Sequence, residues 1–120
     1  LAGTVLATGF PYKQKHHIEP YLKMFQSMFI ECADIRRAGC PALDLAYVAA
    51  GRIDGFWEIG LKPWETAAGE LLAKEAGAIV TDFVGGHNYE NSGNIVVANP
   101  RVLKEMLGKI RENLPDSLAK

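Results

Sequence analysis

The chain lacks the features that mark several specialised classes of protein. It has two cysteines, Cys32 and Cys40, too few for a disulfide framework, and no Cys/His spacing indicates a zinc site. No apolar run approaches the roughly 20 residues that cross a bilayer. The net charge of −1 provides no overall basic field for nucleic acid. We therefore expect two reduced cysteines in a cytoplasmic protein that binds neither membrane nor nucleic acid directly.

Length and composition indicate an ordinary globular protein. Hydrophobic residues make up 48% of the chain and charged residues 22%, which separates it from disordered sequences. A chain of 120 residues is long enough to bury a core. Because neither an internal repeat nor a low-complexity linker is present, we expect residues 1–120 to form one domain.

Short apolar runs alternate with segments of helical periodicity about five times. The predicted strands are the runs "GTVLATGFP", "ADIRRAG", "DGFWEIG", "AIVTDF" and "NIVVANP". The predicted helices cover residues 19–33, 41–50, 63–76 and 102–113. This alternation predicts a layered α/β fold, with a mixed or mostly parallel sheet and helices packed on its faces.

The helix predicted over residues 63–76 has the clearest periodicity. Its apolar positions, at i, i+3, i+4, i+7 and i+8, are Trp64, Ala67, Ala68, Leu71 and Leu72. Gly77 is expected to end it. The stretch "VGGHNYENSG" is predicted to be a loop, and the last residues, "LPDSLAK", a frayed tail.

Candidate functional residues lie where strands lead into helices, because ligands of open α/β sheets bind beyond the carboxyl ends of strands. In "RRAGCPALD", Gly39 and Cys40 precede a helix that begins near Pro41. Free N–H groups and the helix dipole favour a phosphate or a hydroxyl-rich anion there. A simple turn with a water-facing helix start fits the same spacing.

The second junction, "FWEIGLKPWETAAGE", adds two carboxylates. Glu58 ends a strand between Trp57 and Ile59, and Glu65 lies in the first turn of the next helix. An acidic residue at a helix start is stabilised by the dipole by about 0.3–1 kcal/mol, so plain helix initiation remains an alternative. Two carboxylates beside anion-binding N–H groups indicate a phosphate substrate bridged by a divalent cation. Mg²⁺ fits because it combines one or two carboxylates with phosphate oxygens and water.

At these motifs the chain resembles the C-terminal half of the inositol monophosphatase family, nearest its bacterial SuhB-type members. The most specific block is the W-[D/E]-x-A-A-G motif at residues 64–69, followed by "EAGAIVTDFVGG". The resemblance implies the layered α/β fold of that family. It also implies a homodimer and Mg²⁺-dependent, lithium-sensitive hydrolysis of inositol phosphates and related phosphomonoesters.

The resemblance also implies a role for each candidate residue. Glu65 matches the acid that binds a metal and contacts the substrate, and Glu58 matches the glutamate that binds inositol hydroxyls. Gly39, Cys40 and Pro41 match the turn that contacts the substrate through its backbone. The family usually has Asp where this chain has Glu65, and Ser or Thr in the turn. The extra methylene matters because Mg²⁺ requires ligand distances of about 2.0–2.1 Å.

The remaining machinery of the family is expected outside these residues. Its other metal ligands are a Glu and an Asp-Pro-Ile-Asp-Gly-Thr motif from an N-terminal half, which should also supply the attacking water and the general base. Asp54 lies in an Ile-Asp-Gly sequence that imitates this motif, and we interpret it as structural. We therefore expect no catalytic residue in this C-terminal fragment, and no activity from the fragment alone.

Two alternatives remain open. A sister phosphatase would act on fructose bisphosphate or on a 3′-phosphoadenosine nucleotide. A different class of function follows from the SuhB-type members, which are associated with the bacterial transcription machinery; this chain would then be a protein-binding module. Its candidate surface consists of Arg36, Arg37, Arg52 and Lys62.

Overall fold

Strands and helices alternate along the chain in the computed structural model, which describes residues 1–119. The strands are β1 (Val5–Thr8), β2 (Asp34–Arg36), β3 (Gly55–Glu58), β4 (Ile79–Thr81) and β5 (Ile95–Ala98). The helices are α1 (Ile18–Phe29), α2 (Pro41–Ala49), α3 (Pro63–Glu75), α4 (Tyr89–Ser92) and α5 (Pro100–Arg111). All predicted strands and the four longer helices are confirmed, whereas α4 lies in a segment that was predicted to be a loop.

The five strands form one mixed sheet in the order β2-β1-β3-β5-β4. β1 pairs in parallel with β2 and with β3, while β5 runs antiparallel to β3 and to β4. Four strands therefore share one direction, and the prediction of a mixed, mostly parallel sheet is confirmed. The carboxyl ends of β1, β2 and β3 lie at one edge, where α2 and α3 begin.

Helices cover both faces of the sheet because successive strand residues point to opposite sides. Leu6, Trp57 and Val96 belong to the buried cluster that includes residues of α1 and α5. Their neighbours Ala7, Phe56 and Val97 belong to the cluster that includes residues of α2 and α3. The result is three layers, with α1 and α5 on one face and α2 and α3 on the other.

The apolar positions predicted for α3 do not form its buried face. Trp64 is 78% exposed, Leu71 61% and Leu72 53%. The face that packs inward consists instead of Thr66, Gly69 and Ala73. Periodicity shows that a helix has an apolar stripe, but small residues can pack more closely on a neighbouring helix than large ones. In this chain the small face lies against α2.

The prediction of a frayed C-terminal tail is wrong for the described residues. A 3₁₀ turn spans Asp116–Leu118, and the Leu118 side chain is only 1% exposed within the cluster that includes α1 and α5. Leu114 packs against the same cluster. Apolar contact with the core therefore holds this segment in place. Lys120 lies outside the described residues.

The structure also shows the state of the two cysteines and whether any helix could cross a membrane. Cys32 and Cys40 are both free thiols, as predicted. Within residues 1–119, no helix combines the length and the apolar composition that crossing a bilayer requires.

Candidate active site

A pocket at the carboxyl edge of the sheet brings together the two carboxylates of the second junction. Glu58 is the last residue of β3 and Glu65 lies in the first turn of α3, and both line this pocket. Residues 10–14, which follow β1, and residues 59–61 complete its wall. The convergence of the two carboxylates on one crevice, expected from the strand-to-helix rule, is therefore seen.

Glu58 is buried, with 9% of its surface exposed, and its carboxylate has no hydrogen-bond partner among the described residues. Burial, and then the negative charges of Glu65 and Asp44, raise the pKa of Glu58 to about 7, against the opposing charges of Arg37 and Lys13. Its oxygens are not among the fully buried side-chain atoms without a partner in residues 1–119, so they reach the pocket and are open to a ligand.

Glu65 takes part in the start of α3. Its Oε1 accepts a hydrogen bond from the backbone N–H of Lys62 at 3.1 Å, and its own N–H donates to the Lys62 carbonyl at 2.9 Å. The helix-initiation alternative is thus visible in the structure. The second carboxylate oxygen accepts no hydrogen bond from residues 1–119, so it is open to a ligand.

The turn before α2 flanks the pocket without lining it. Gly39 has a φ of 80°, Cys40 precedes the helix without a side-chain cap, and Pro41 is its first residue. The Arg37 guanidinium lies beside Gly39 and 5.0 Å from the centre of the Phe10 ring, which is part of the pocket wall. Arg37 therefore lies close both to the turn and to a residue of the pocket wall.

The residues described here fit only part of a metal site. Within residues 1–119, no group of three or more His, Cys, Asp and Glu side chains could hold a metal ion. The free oxygen of Glu65 suits a hard cation such as Mg²⁺, which needs one or two carboxylates besides phosphate oxygens and water. The donor set thus fits a single protein ligand to Mg²⁺, with the other ligands supplied elsewhere.

One buried carboxyl near the site was missed by sequence reasoning. Asp44, in the first turn of α2, is 2% exposed, and its Oδ1 has no hydrogen-bond partner. Burial raises the pKa of Asp44 to about 6. The signal that could have identified it is an Asp between leucines in the otherwise apolar run "PALDLAYVAA".

Other polar residues have plain structural positions. The interpretation of Asp54 is confirmed, because its Oδ2 accepts a hydrogen bond from the N–H of Val5 at 2.8 Å. Arg36 is exposed and forms an ion pair with Asp34 at 3.5 Å, while Arg52 stacks near the Tyr47 ring at 5.9 Å. Arg37 differs from these two because its charge acts on Glu58.

Comparison with known proteins gives sequence relatives over nearly the whole chain. The chain is 62% identical over 118 residues to the Nus factor SuhB of Escherichia coli (strain K12) and to that of Salmonella typhimurium (strain LT2). Each alignment covers 98% of this chain and 44% of the relative. The chain therefore spans less than half the length of the curated relatives it matches.

Solved structures share the fold. The extragenic suppressor protein suhB from Bartonella henselae has a TM-score of 0.90 and 40% sequence identity, with coverage of 95% of this chain and 43% of that one. An inositol monophosphatase from Anabaena (Nostoc) sp. PCC 7120 has a TM-score of 0.86 and 33% identity, with coverage of 97% and 46%. The model of the inositol monophosphatase family matches residues 1–116. On the evidence of fold, sequence and family model together, this chain belongs to the inositol monophosphatase family.

Proposed function

We propose that the protein carrying this chain is a Mg²⁺-dependent phosphatase that hydrolyses inositol monophosphate to inositol and phosphate. Membership of the family supports phosphatase chemistry in general. The observation that carries the proposal is Glu58, a buried carboxylate without a hydrogen-bond partner that lines the same pocket as Glu65. A polyol offers the hydroxyl donors that such a carboxylate lacks.

Each candidate residue has a distinct task in this proposal. Glu58 accepts hydrogen bonds from ring hydroxyls and so orients the alcohol portion of the substrate. Glu65 contributes one ligand to Mg²⁺ through its free oxygen and remains tied to the start of α3 through the other. When bound, Mg²⁺ neutralises phosphate charge and activates water.

The turn before α2 would contact the substrate through its backbone. Gly39 leaves its backbone open to close approach, and the N–H of Cys40 is available, whereas Pro41 has no N–H to donate. The positive end of the α2 dipole favours an anion beside this turn. No residue between 1 and 119 is assigned as the general base.

The decisive variant is Glu58→Gln in the full-length protein. Because the amide keeps the size of the side chain but loses a charged acceptor, we expect kcat/KM for inositol 1-phosphate to fall by about tenfold or more. Hydrolysis of p-nitrophenyl phosphate, which has no ring hydroxyls, should change much less. Steady-state kinetics on both substrates measure the difference.

The matched control is Glu75→Gln, an exposed carboxylate at the far end of α3. An equal loss on both substrates for Glu58→Gln would contradict the role in polyol binding. Fructose 1,6-bisphosphate and 3′-phosphoadenosine 5′-phosphate belong in the same assay, since a preference for either would identify a sister phosphatase instead.

The names of the sequence relatives favour a second candidate function. They are Nus factors, a name that points to the transcription machinery as a partner. An exposed surface containing Arg36 and Arg52 would serve such a contact. Binding to purified RNA polymerase that is lost in an Arg36→Glu, Arg52→Glu variant, and kept in Lys104→Glu, would support this role. Unchanged binding in all variants would remove these arginines from it.

The proposal extends to properties of the whole protein. Lithium should inhibit the phosphatase, and the protein should be a cytoplasmic homodimer, in keeping with the family resemblance. Inhibition by LiCl at fixed Mg²⁺ tests the first property, and light scattering of the purified full-length protein tests the oligomeric state.

A further inference from the structure

Gly9 lies directly beneath the Glu58 carboxylate. It follows the last residue of β1, and the pairing of Thr8 with Trp57 brings it level with Glu58 on the neighbouring strand. A methyl group added to Gly9 would overlap Oε1 and Cδ of Glu58 and lie 2.8 Å from Oε2. The carboxylate therefore occupies the space that any other residue at position 9 would fill.

The backbone conformation does not explain a glycine at this position. Gly39 and Gly60 have φ values of 80° and 74°, which favour glycine for conformational reasons. Gly9 has no such positive φ, and so its backbone is one that other residues can adopt. What position 9 requires is the absence of a side chain.

The contact with Gly9 matters because no hydrogen bond or ion pair within residues 1–119 fixes the carboxylate. The Glu58 carboxylate accepts no hydrogen bond from residues 1–119, and Arg37 and Lys13 act on it only through their charges. Packing therefore sets the position of its oxygens in the pocket. The oxygens lie in the space that a Cβ atom on Gly9 would occupy.

We propose that Gly9 is the positioning residue for Glu58 and thereby determines the preference of this phosphatase for polyol phosphates. This inference rests on the proposed function of Glu58. A side chain at position 9 pushes the carboxylate away from the place where ring hydroxyls meet it. The binding of substrates without ring hydroxyls does not depend on the position of the Glu58 carboxylate.

The test is a double-mutant cycle in the full-length protein with Gly9→Ala, Glu58→Asp and their combination. Gly9→Ala should lower kcat/KM for inositol 1-phosphate by about tenfold or more, mainly through KM, and change that for p-nitrophenyl phosphate by about twofold or less. Glu58→Asp removes one methylene and leaves room for the new methyl group. The loss caused by Gly9→Ala should therefore be much smaller when Glu58→Asp is already present.

Equal losses on both substrates, or the same loss in both backgrounds, would overturn the inference. Gly108→Ala is the control, because no atom lies within 4 Å of a methyl group at that position. If Gly9→Ala does not fold, thermal unfolding of the variant that combines Gly9→Ala with Glu58→Asp tests the steric contact. A folded double variant supports the contact, and an unfolded double variant contradicts it.

The Glu58→Gln variant distinguishes a failure of the proposed role of Glu58 from a failure of the inference about Gly9. If Glu58→Gln lowers activity equally on both substrates, the proposed role of Glu58 fails. If Glu58→Gln discriminates between the substrates and Gly9→Ala does not, only the inference about Gly9 fails.

Discussion

At the scale of the residue, Glu65 combines two roles that sequence reasoning treated as alternatives. Its Oε1 accepts a hydrogen bond from the N–H of Lys62, one of the donors that a helix start leaves unpaired. Its other oxygen has no partner among the described residues. A cation bound at that oxygen would leave the helix start intact, so the two roles are compatible on one side chain.

A Mg²⁺ titration of Glu65 variants tests the ligand role. Glu65→Asp in the full-length protein removes the extra methylene and keeps a carboxylate at the helix start. We expect the Mg²⁺ concentration for half-maximal activity to fall or stay the same. Glu65→Ala should nearly abolish activity, because the cation loses a charged ligand.

A different outcome would contradict the role of Glu65 as a metal ligand. If the residue only stabilises the start of α3, both variants should change the free energy of unfolding by about 1 kcal/mol or less. Their Mg²⁺ dependence would then superimpose on that of the wild type, and the metal-ligand role would be lost.

Asp44 gives a prediction about stability and pH. Burial raises the pKa of Asp44 to about 6, so the folded state holds its proton over a range where the unfolded state has released it. The free energy of unfolding should therefore fall as the pH rises from about 4 to about 6, by about 1–3 kcal/mol from this group. Asp44→Asn should remove that component.

Urea unfolding of the wild type and of Asp44→Asn between about pH 4 and pH 7, with EDTA present, measures this component. Glu58 titrates with the same sign, so the difference between the two proteins is the relevant quantity. A difference that does not change with pH would show that the pKa of Asp44 is the same in the folded and unfolded states.

At the scale of the element, the contact between α2 and α3 depends on one small residue. A methyl group on Gly69 would lie 2.6 Å from Cβ and 2.7 Å from Cδ1 of Leu45. Gly69 thus brings the two helices together closely, and α3 carries Glu65 while α2 carries the candidate substrate turn. Close packing of α3 against α2 therefore explains the glycine in the W-[D/E]-x-A-A-G motif.

Two glycine substitutions in helices should have opposite effects. Alanine is favoured over glycine in a helix by about 1 kcal/mol, and so Gly108→Ala, in open space on α5, should stabilise the protein by up to that amount. Gly69→Ala should instead destabilise it by about 1–2 kcal/mol, because crowding against Leu45 outweighs helix propensity. Thermal unfolding compares them, and stabilisation by both would show that α2 and α3 separate at little cost.

The loop after β4 is also held by a single side chain. Asp82 is 2% exposed, and its Oδ1 accepts hydrogen bonds from the N–H groups of Val84 and Gly86. Its Oδ2 accepts a third from the N–H of Asn88 at 3.0 Å. The Asp in "TDFVGGHN" therefore shapes the backbone that leads into α4.

At the scale of the whole molecule, residues 1–119 place two candidate site carboxylates in one pocket but hold no complete metal site. No cluster of three possible metal ligands occurs within residues 1–119, and the chain spans less than half the length of its relatives. We predict that the purified 120-residue chain alone shows no Mg²⁺-dependent turnover of inositol 1-phosphate. A phosphate-release assay tests this, and turnover that disappears in Glu65→Ala would prove the prediction wrong.

The outer face of α3 is a second whole-molecule feature. Trp64, Leu71 and Leu72 are more than half exposed on this helix. Exposed apolar patches of this kind mark surfaces that contact other protein or promote association. The same residues gave α3 the clearest periodicity in the sequence, so periodicity located the helix correctly but did not identify its buried face.

Much of the fold was predictable because it depends on local patterns. β-branched runs predicted the strands, and Pro41 and Pro63 marked helix starts that the structure confirms. The pairing of Glu58 with Glu65 was predictable too, because a short junction joins the strand end to the next helix turn. Leu118 was mispredicted because its burial depends on a contact with a cluster distant in sequence.

The sequence by itself determined the alternation of strands and helices, the family and the two carboxylates of the pocket, because these follow from local periodicity and from a contiguous motif. Only the tertiary structure decided which face of α3 is buried, and that Asp44 and Glu58 are buried carboxylates. The placement of Gly9 under Glu58 belongs with these, since the two residues are distant in sequence and meet only through the pairing of β1 with β3. Burial and steric fit depend on long-range contacts, which local patterns in a sequence do not specify.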